Sequence, residues 1–246
     1  MKTLVIANQK GGVGKTANLV HLAWAAAKKG KKVIVIDLDT QGNASDTLSR
    51  YIQSDQFRSS LLFQNNVALP VLPEDNNITV VMADLKLADL PRQNAKEAFE
   101  NFQKNIDILG KSGFDLCLID TPPSLGVVMA FALKVSDFIV SPIEMETYSA
   151  KGVGLLLQTI GNLGKMPNFL GLLPSKLDRR NPRQKREYEK LKGKQGVLDF
   201  PITLRTSIGD ALAEKCPVWE IKKTSARQAA KEVQLLANNI FMKMGI

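Results

Sequence analysis

Short apolar runs alternate along this chain with amphipathic stretches. Leu4–Asn8, Val33–Leu38, Ile78–Met82, Leu116–Asp120, Phe138–Pro142 and Phe169–Leu173 read as strands, with a further short one near Phe200–Leu204. Several are rich in Val, Ile and Leu without polar alternation, the pattern of strands buried on both faces. Between them lie helical segments such as Thr16–Lys29, closed by Gly30, and Gln93–Leu109, closed by Gly110. This alternation predicts an α/β fold, a mostly parallel twisted sheet with helices on both faces. In such sheets ligands sit at the carboxyl ends of the strands. Ser54–Asp75 is the least regular stretch and is expected to be loop-rich. No repeat, low-complexity tract or linker divides the chain, so residues 1–246 are expected to form one domain.

Composition adds bounds. With 246 residues, 44% hydrophobic and 23% charged, the chain can bury a core without metal or disulfide staples. No apolar run approaches the roughly 18 residues that span a bilayer. Leu4-Val5-Ile6-Ala7 ends at polar Asn8, unlike a signal peptide, so a cytoplasmic protein is expected. Cys117 and Cys216 have no spacing for zinc, an iron–sulfur cluster or a disulfide framework. Charge is uneven. Residues 1–175 hold 17 Lys/Arg against 16 Asp/Glu, whereas 176–246 hold 16 against 8. Such asymmetry points to a polyanion, nucleic acid or an anionic membrane, set against an ordinary solubilising surface.

The chemistry lies at predicted strand ends. Asn8-Gln9-Lys10-Gly11-Gly12-Val13-Gly14-Lys15-Thr16 joins the first strand to the first helix. Glycines there let the backbone turn its N–H groups inward, and the helix adds its positive end. In a phosphate loop Lys15 would reach the β- and γ-phosphates and the Thr16 hydroxyl would ligate Mg²⁺. The loop departs from G-x-x-x-x-G-K-[ST] in having Gln9 where glycine belongs, and it carries a second cation, Lys10. Asp37 and Asp39 end the second strand, and Asp120, followed by Pro122 and Pro123, ends another. An apolar run ending in Asp is the form of a Mg²⁺-holding acid. A P-loop nucleoside triphosphatase site is therefore expected, with Gly11, Gly12, Val13, Gly14, Lys15, Thr16 and Ala17 around the nucleotide. Thr16, Asp37 and Asp120 are expected around the metal.

KGGVGKT resembles the deviant phosphate loop of the ParA/MinD family of ATPases, and the whole of residues 8–16 resembles its partition-protein version. The resemblance continues through residues 37–43, 120–124, Pro142-Ile143-Glu144…Gly152, and a tail running from Arg205 to Glu232. It implies an ATP- and Mg²⁺-dependent ATPase that forms a homodimer with ATP sandwiched between subunits. Lys10 would reach across to the partner's phosphates, with Lys15 and Asp39 completing the catalytic set and Asp39 positioning the attacking water. The ATP dimer would bind DNA without sequence preference on the nucleoid, and a ParB-like centromere-binding protein would stimulate hydrolysis. Ala17 replaces the family's second threonine and Thr40 its usual proline, which bears on nucleotide affinity and switch stiffness.

Nine cations between Lys176 and Lys194 face only three acids. Pairs such as Arg183 with Glu187 account for part of this run. Arg179, Arg180, Arg183, Lys185, Arg186, Arg205, Lys222 and Lys223 are the candidate DNA contacts. The first strand begins at residue 3 or 4, so no N-terminal helix-turn-helix is expected. His21 is expected to sit on a helix surface or to pack, not to catalyse, and Trp24 and Trp219 to pack, not to stack bases. The closing NNIFMKMGI is short and carries one cation, so a fraying or docked helix end is expected and a membrane partner is not. The rival readings are a MinD-like membrane-cycling or other cargo-positioning ATPase, a metal-cluster carrier that would need paired cysteines, and a non-hydrolysing DNA scaffold.

Overall fold

Strands with no polar alternation must be covered twice, and these are. A computed structural model describes residues 1–73, 76–145 and 150–246. Its elements are β1 (Lys2–Ile6), α1 (Lys15–Lys28), β2 (Val33–Asp37), α2 (Asn43–Thr47), β3 (Ile78–Val81), α3 (Ala95–Lys111) and β4 (Leu116–Asp120). They continue as α4 (Val127–Val135), β5 (Phe138–Ile143), α5 (Ala150–Asn162), β6 (Phe169–Pro174), α6 (Pro182–Leu191), α7 (Thr206–Ala213) and α8 (Thr224–Met244). The strands form one sheet in the order β3-β2-β4-β1-β5-β6, with every pairing parallel.

Successive side chains of a strand point to opposite faces, and two cores result. Leu4, Ile6, Val33, Val35, Leu116 and Leu118 meet α1, α7 and α8 on one side. Val5, Ile34, Ile36, Cys117, Ile119 and Ile139 meet α3, α4 and α5 on the other. Burial pushes the Cys117 thiol far above its ordinary range, which leaves it inert. Ile240, Phe241 and Met244 of α8 are buried in the first core, so the closing segment docks on the protein. Among the described residues no helix is long and apolar enough to cross a membrane.

Two sequence expectations are corrected, and the loop-rich excursion gains a buried anchor. The stretch 200–204 is not a strand. Pro201 offers no N–H to a ladder, and the segment instead lies irregularly along β6, with the Ile202 N–H donating to Pro174 O and Leu198 N–H to Leu172 O. Helix α3 does not close at Gly110 but runs to Lys111, and the left-handed glycine past its end is Gly113, at φ 91°. Asn94 caps its start, its side chain accepting from the Lys96 and Glu97 N–H groups. The excursion from Ser54 is partly core: Leu62 and Phe63 are buried, Phe63 stacks on Phe102 at 4.5 Å, and Asn105 donates to Leu62 O and Gln64 O. Its last two residues, 74 and 75, lie outside the described residues, as do 146–149 within the run from Pro142 to Gly152.

His21 packs edge-on against Trp24 within α1, and only its Nδ1 finds a partner, the Ala17 carbonyl at 2.8 Å. A carbonyl only accepts, so Nδ1 carries the proton. Burial lowers the ring pKa from the ordinary 6.5 to about 4, against a smaller opposing pull from the Ala17 carbonyl. The unfolded chain therefore takes up a proton below 6.5 that the fold refuses. Stability is fully present above pH 6.5 and is lost progressively down to about pH 4, by roughly 3 kcal/mol. Urea midpoints for His21→Leu should fall less steeply over that interval than those of the unaltered chain. Equal slopes would show that His21 is not the acid-sensitive group.

Candidate nucleotide site

Residues 7–14 lead from the end of β1 into α1, and their shape depends on two glycines. Gly12 and Gly14 have φ of 77° and 92°, where a side chain would be strained. At Gly14 a Cβ would also lie 2.9 Å from Ser175 Oγ. Asn18 reinforces this contact, donating to Gly14 O at 2.8 Å and to Ser175 Oγ at 3.3 Å. Val13 is buried beneath the loop. Asn8 pins the other end: its amide donates to Pro142 O, and its Oδ1 accepts from the Lys10 N–H, both at 2.8 Å.

The two lysines of the loop go to different places. Lys15 is buried, with its ammonium donating to Lys10 O at 3.3 Å. Burial lowers its pKa, and the charges of Asp120 and Asp39 pull it back up. Lys10 turns outward and pairs with Glu144 beyond β5, at 2.5 Å. Lys176 approaches the other Glu144 oxygen at 3.8 Å.

Parallel register brings the acids together. Asp37 and Asp120 are partners across β2 and β4, and Ile6 of β1 is in register with Asp120 on its other side. Thr16 Oγ1 donates to Asp120 Oδ2 at 2.6 Å. Burial, then the charge of Asp37, pushes the Asp120 carboxyl up to about 8. Asp37 is also raised by burial, although Ser45 and the Asp39 N–H hydrogen-bond to it. Both Asp37 oxygens are thus engaged, Oδ1 by the Asp39 N–H and Oδ2 by the Ser45 N–H and hydroxyl. This binds Asp37 to the 39–45 segment. Asp39 accepts from the Gln41 N–H at 3.1 Å.

A divalent cation fits this arrangement. A hydroxyl and a carboxylate lie side by side, and the buried negative charge nearby is only partly offset by Lys15. Among the described residues no group of three or more His, Cys, Asp or Glu could hold a metal alone. Mg²⁺ requires no such cage, because it binds through one or two protein groups, waters and substrate phosphates.

The loop opens into a cleft of about 720 Å³. Gly11, Gly12, Gly14, Lys15, Thr16, Ala17 and Asp39 line one end. The far wall is Ile202–Thr206 with Ile208, Gly209 and Leu212; Arg205 and the residues after it lie in the tail that resembles the family, and Ile202–Leu204 precede it. Lys10 is not among the lining residues. Asp46 stands at the rim and pairs with Lys215 at 2.7 Å.

The candidate DNA cations separate into two groups. Arg205 belongs to the cleft wall, where it donates to Thr203 Oγ1 at 2.8 Å and approaches Glu232 at 3.5 Å, so it is not a cation of the open surface. Arg180 is clamped by both oxygens of Asp178, and Lys223 pairs with Asp210 at 2.7 Å. Arg179, Arg183, Lys185, Arg186 and Lys222 are exposed and make no ion pair among the described residues, so the expected Arg183–Glu187 pair does not form and Glu187 pairs with Lys190 instead. Three of them project from α6, which Asn181 caps and Pro182 opens.

A parallel sheet, a glycine loop at a helix N-terminus and strand-end acids define a P-loop nucleotide-binding protein. Residues 1–169 match the family model described as an AAA domain. The chain is 45% identical to Protein IncC of Escherichia coli, across 100% of this chain and 71% of that protein. It is 33% identical to the chromosome-partitioning ATPase Soj of Thermus thermophilus, across 73% of this chain and 71% of the relative. The chain belongs to this family of plasmid and chromosome partition ATPases. Its fold matches a plasmid partition protein from Borrelia burgdorferi with a TM-score of 0.77, at 24% identity over 98% of each chain. It also matches cobyrinic acid a,c-diamide synthase from Mycobacterium smegmatis, solved with an ATP analogue and magnesium, with a TM-score of 0.76. That match has 25% identity over 100% of this chain and 97% of the other.

Proposed function

We propose that this partition ATPase hydrolyses ATP as a sandwich dimer that holds DNA without sequence preference. The observation that carries the reading is the divergence of the two loop lysines, Lys15 inside its own cleft and Lys10 outside it on Glu144. A lysine placed there serves the nucleotide of a second copy, much as an arginine finger serves a γ-phosphate. Gly11–Ala17 wraps the phosphates, and the wall from Ile202 to Leu212 takes the nucleoside. Thr16 and Asp120 hold Mg²⁺, with Asp37 fixing the neighbouring loop. When bound, the ion neutralises charge on the β- and γ-phosphate oxygens. Asp39 orients a water for in-line attack on the γ-phosphorus. The β–γ bridging bond breaks, ADP leaves with the bridging oxygen, and the water oxygen departs in inorganic phosphate. Lys15 and Lys10 stabilise the charge of the transferring group.

The exposed arginines and lysines of α6, with Arg179 and Lys222, supply the DNA surface. Dimerisation doubles them, and phosphate contacts release counterions, so binding rises steeply with charge. A ParB-like centromere-binding protein stimulates hydrolysis, and ADP releases the DNA into the next cycle on the nucleoid. The burial of Ile240, Phe241 and Met244 opposes a membrane foot.

Co-sedimentation tests this reading directly. DNA binding should require ATP, fail with ADP, and exceed binding to anionic liposomes. In a triple variant, Arg183→Ala with Lys185→Ala and Arg186→Ala, the slope of log affinity against log salt should drop by roughly 3 for each subunit engaged. Equal binding with ADP, or an unchanged slope, would overturn the assignment.

A further inference from the structure

We propose that Ser45 is a positioning residue for ATP hydrolysis, holding the Asp39 loop in place through Asp37. This rests on the ATPase reading above. Ser45 lies in the middle of the five-residue α2 and is almost fully buried. Its N–H and its hydroxyl both donate to Asp37 Oδ2, at 2.8 and 2.7 Å. The same hydroxyl accepts from the Ala83 N–H at 3.0 Å, just beyond β3. Asp37 Oδ1 in turn accepts from the Asp39 N–H, and Asp39 Oδ1 from the Gln41 N–H, each at 3.1 Å. One hydroxyl therefore ties the end of β3 to the end of β2 and to the loop that carries Asp39.

The rest of α2 is held independently. Ala44 and Leu48 sit in the core, and Asp46 pairs with Lys215. The Ser45 N–H still reaches Asp37 without the hydroxyl. Losing the hydroxyl should therefore free the loop without unfolding the helix. Ser45 is not itself among the residues that line the cleft, although Asn43, Asp46 and Thr47 of the same short helix are. Its effect should fall on the chemical step, where displacement of a reacting group by about 1 Å can cost roughly 100-fold.

Steady-state turnover and affinity for a non-hydrolysable ATP analogue are measured together for Ser45→Ala. We expect kcat to fall roughly 10- to 30-fold with KM and analogue affinity changed less than about twofold. Ser45→Thr, which keeps the hydroxyl, should restore turnover. Added to Asp39→Asn, Ser45→Ala should cost nothing further, because residues acting as a unit are not additive. If Ser45→Ala melts early, near-isosteric Ser45→Cys, a poor hydrogen-bonding partner, takes its place in the same measurements. A kcat within twofold of the unaltered chain overturns the inference, as does a matching loss of affinity or additivity with Asp39→Asn. Full turnover in Asp39→Asn alone overturns the underlying reading of Asp39. An inactive Asp39→Asn beside a fully active Ser45→Ala overturns the Ser45 inference only.

Discussion

Replacing Lys15 with alanine is expected to remove nearly all function from the site. The ammonium sits buried against the Lys10 carbonyl, within the electrostatic reach of Asp120 and Asp39. No other lysine or arginine of the phosphate loop lines the cleft. A hydrogen bond to a charged group contributes about 1.5–3 kcal/mol, so ATP affinity should fall by roughly 10- to 100-fold. Charge that develops in the transition state makes the loss in turnover larger, by roughly a further 100- to 1,000-fold. Titration with a fluorescent ATP analogue and a phosphate-release assay measure the two separately. Near-normal turnover would exclude Lys15 from the γ-phosphate.

The matching change at Lys10 should behave differently. Lys10 does not line its own cleft, and its ammonium is held by Glu144. Monomeric Lys10→Ala should therefore bind ATP within about twofold of the unaltered chain. What it should lose is the ATP-dependent dimer, seen by sedimentation or light scattering, and with it roughly 1,000-fold in turnover if the lysine acts as a finger in trans. The exposed pair with Glu144 is itself worth at most about 1 kcal/mol, so its removal should leave the melting temperature nearly unchanged. A Lys10→Ala protein that still dimerises with ATP and turns over normally would end the sandwich reading. A large loss of ATP affinity would instead place Lys10 on its own subunit's nucleotide.

The sheet was largely legible in the sequence, because continuous apolar runs have few alternatives once each is bounded by glycine or an acid. Asp37 and Asp120 each end a strand, and register then makes them neighbours. What sequence could not supply were contacts made at long range. Ser175 and Asn18 are 157 positions apart, yet together they fix Gly14. Glu144 holds a lysine 134 positions before it. The far wall of the cleft was hard to read because it mixes Ile202, Ile208 and Leu212 with Thr203, Arg205 and Thr206, brought opposite the loop by the irregular stretch before α7 and by α7 itself. Charge counting found the basic third of the chain correctly. It could not separate Arg205, Arg180 and Lys223, neutralised by Glu232, Asp178 and Asp210, from the open cations of α6. The stretch 200–204 misled because apolar residues and a proline look like an edge strand until their hydrogen bonds are traced.

That irregular stretch has a consequence for solubility. β6 ends the sheet, and an open terminal strand is a template on which another chain can polymerise. Here residues 196–202 consume its outward hydrogen bonds: Leu172 donates to Gly196 O and accepts from the Leu198 N–H, and Pro174 O accepts from the Ile202 N–H. Pro201, having no N–H, keeps the cover from becoming a fresh template itself. β3, at the opposite margin, is only four residues long. Copies of this chain can therefore crowd together without their sheets fusing edge to edge.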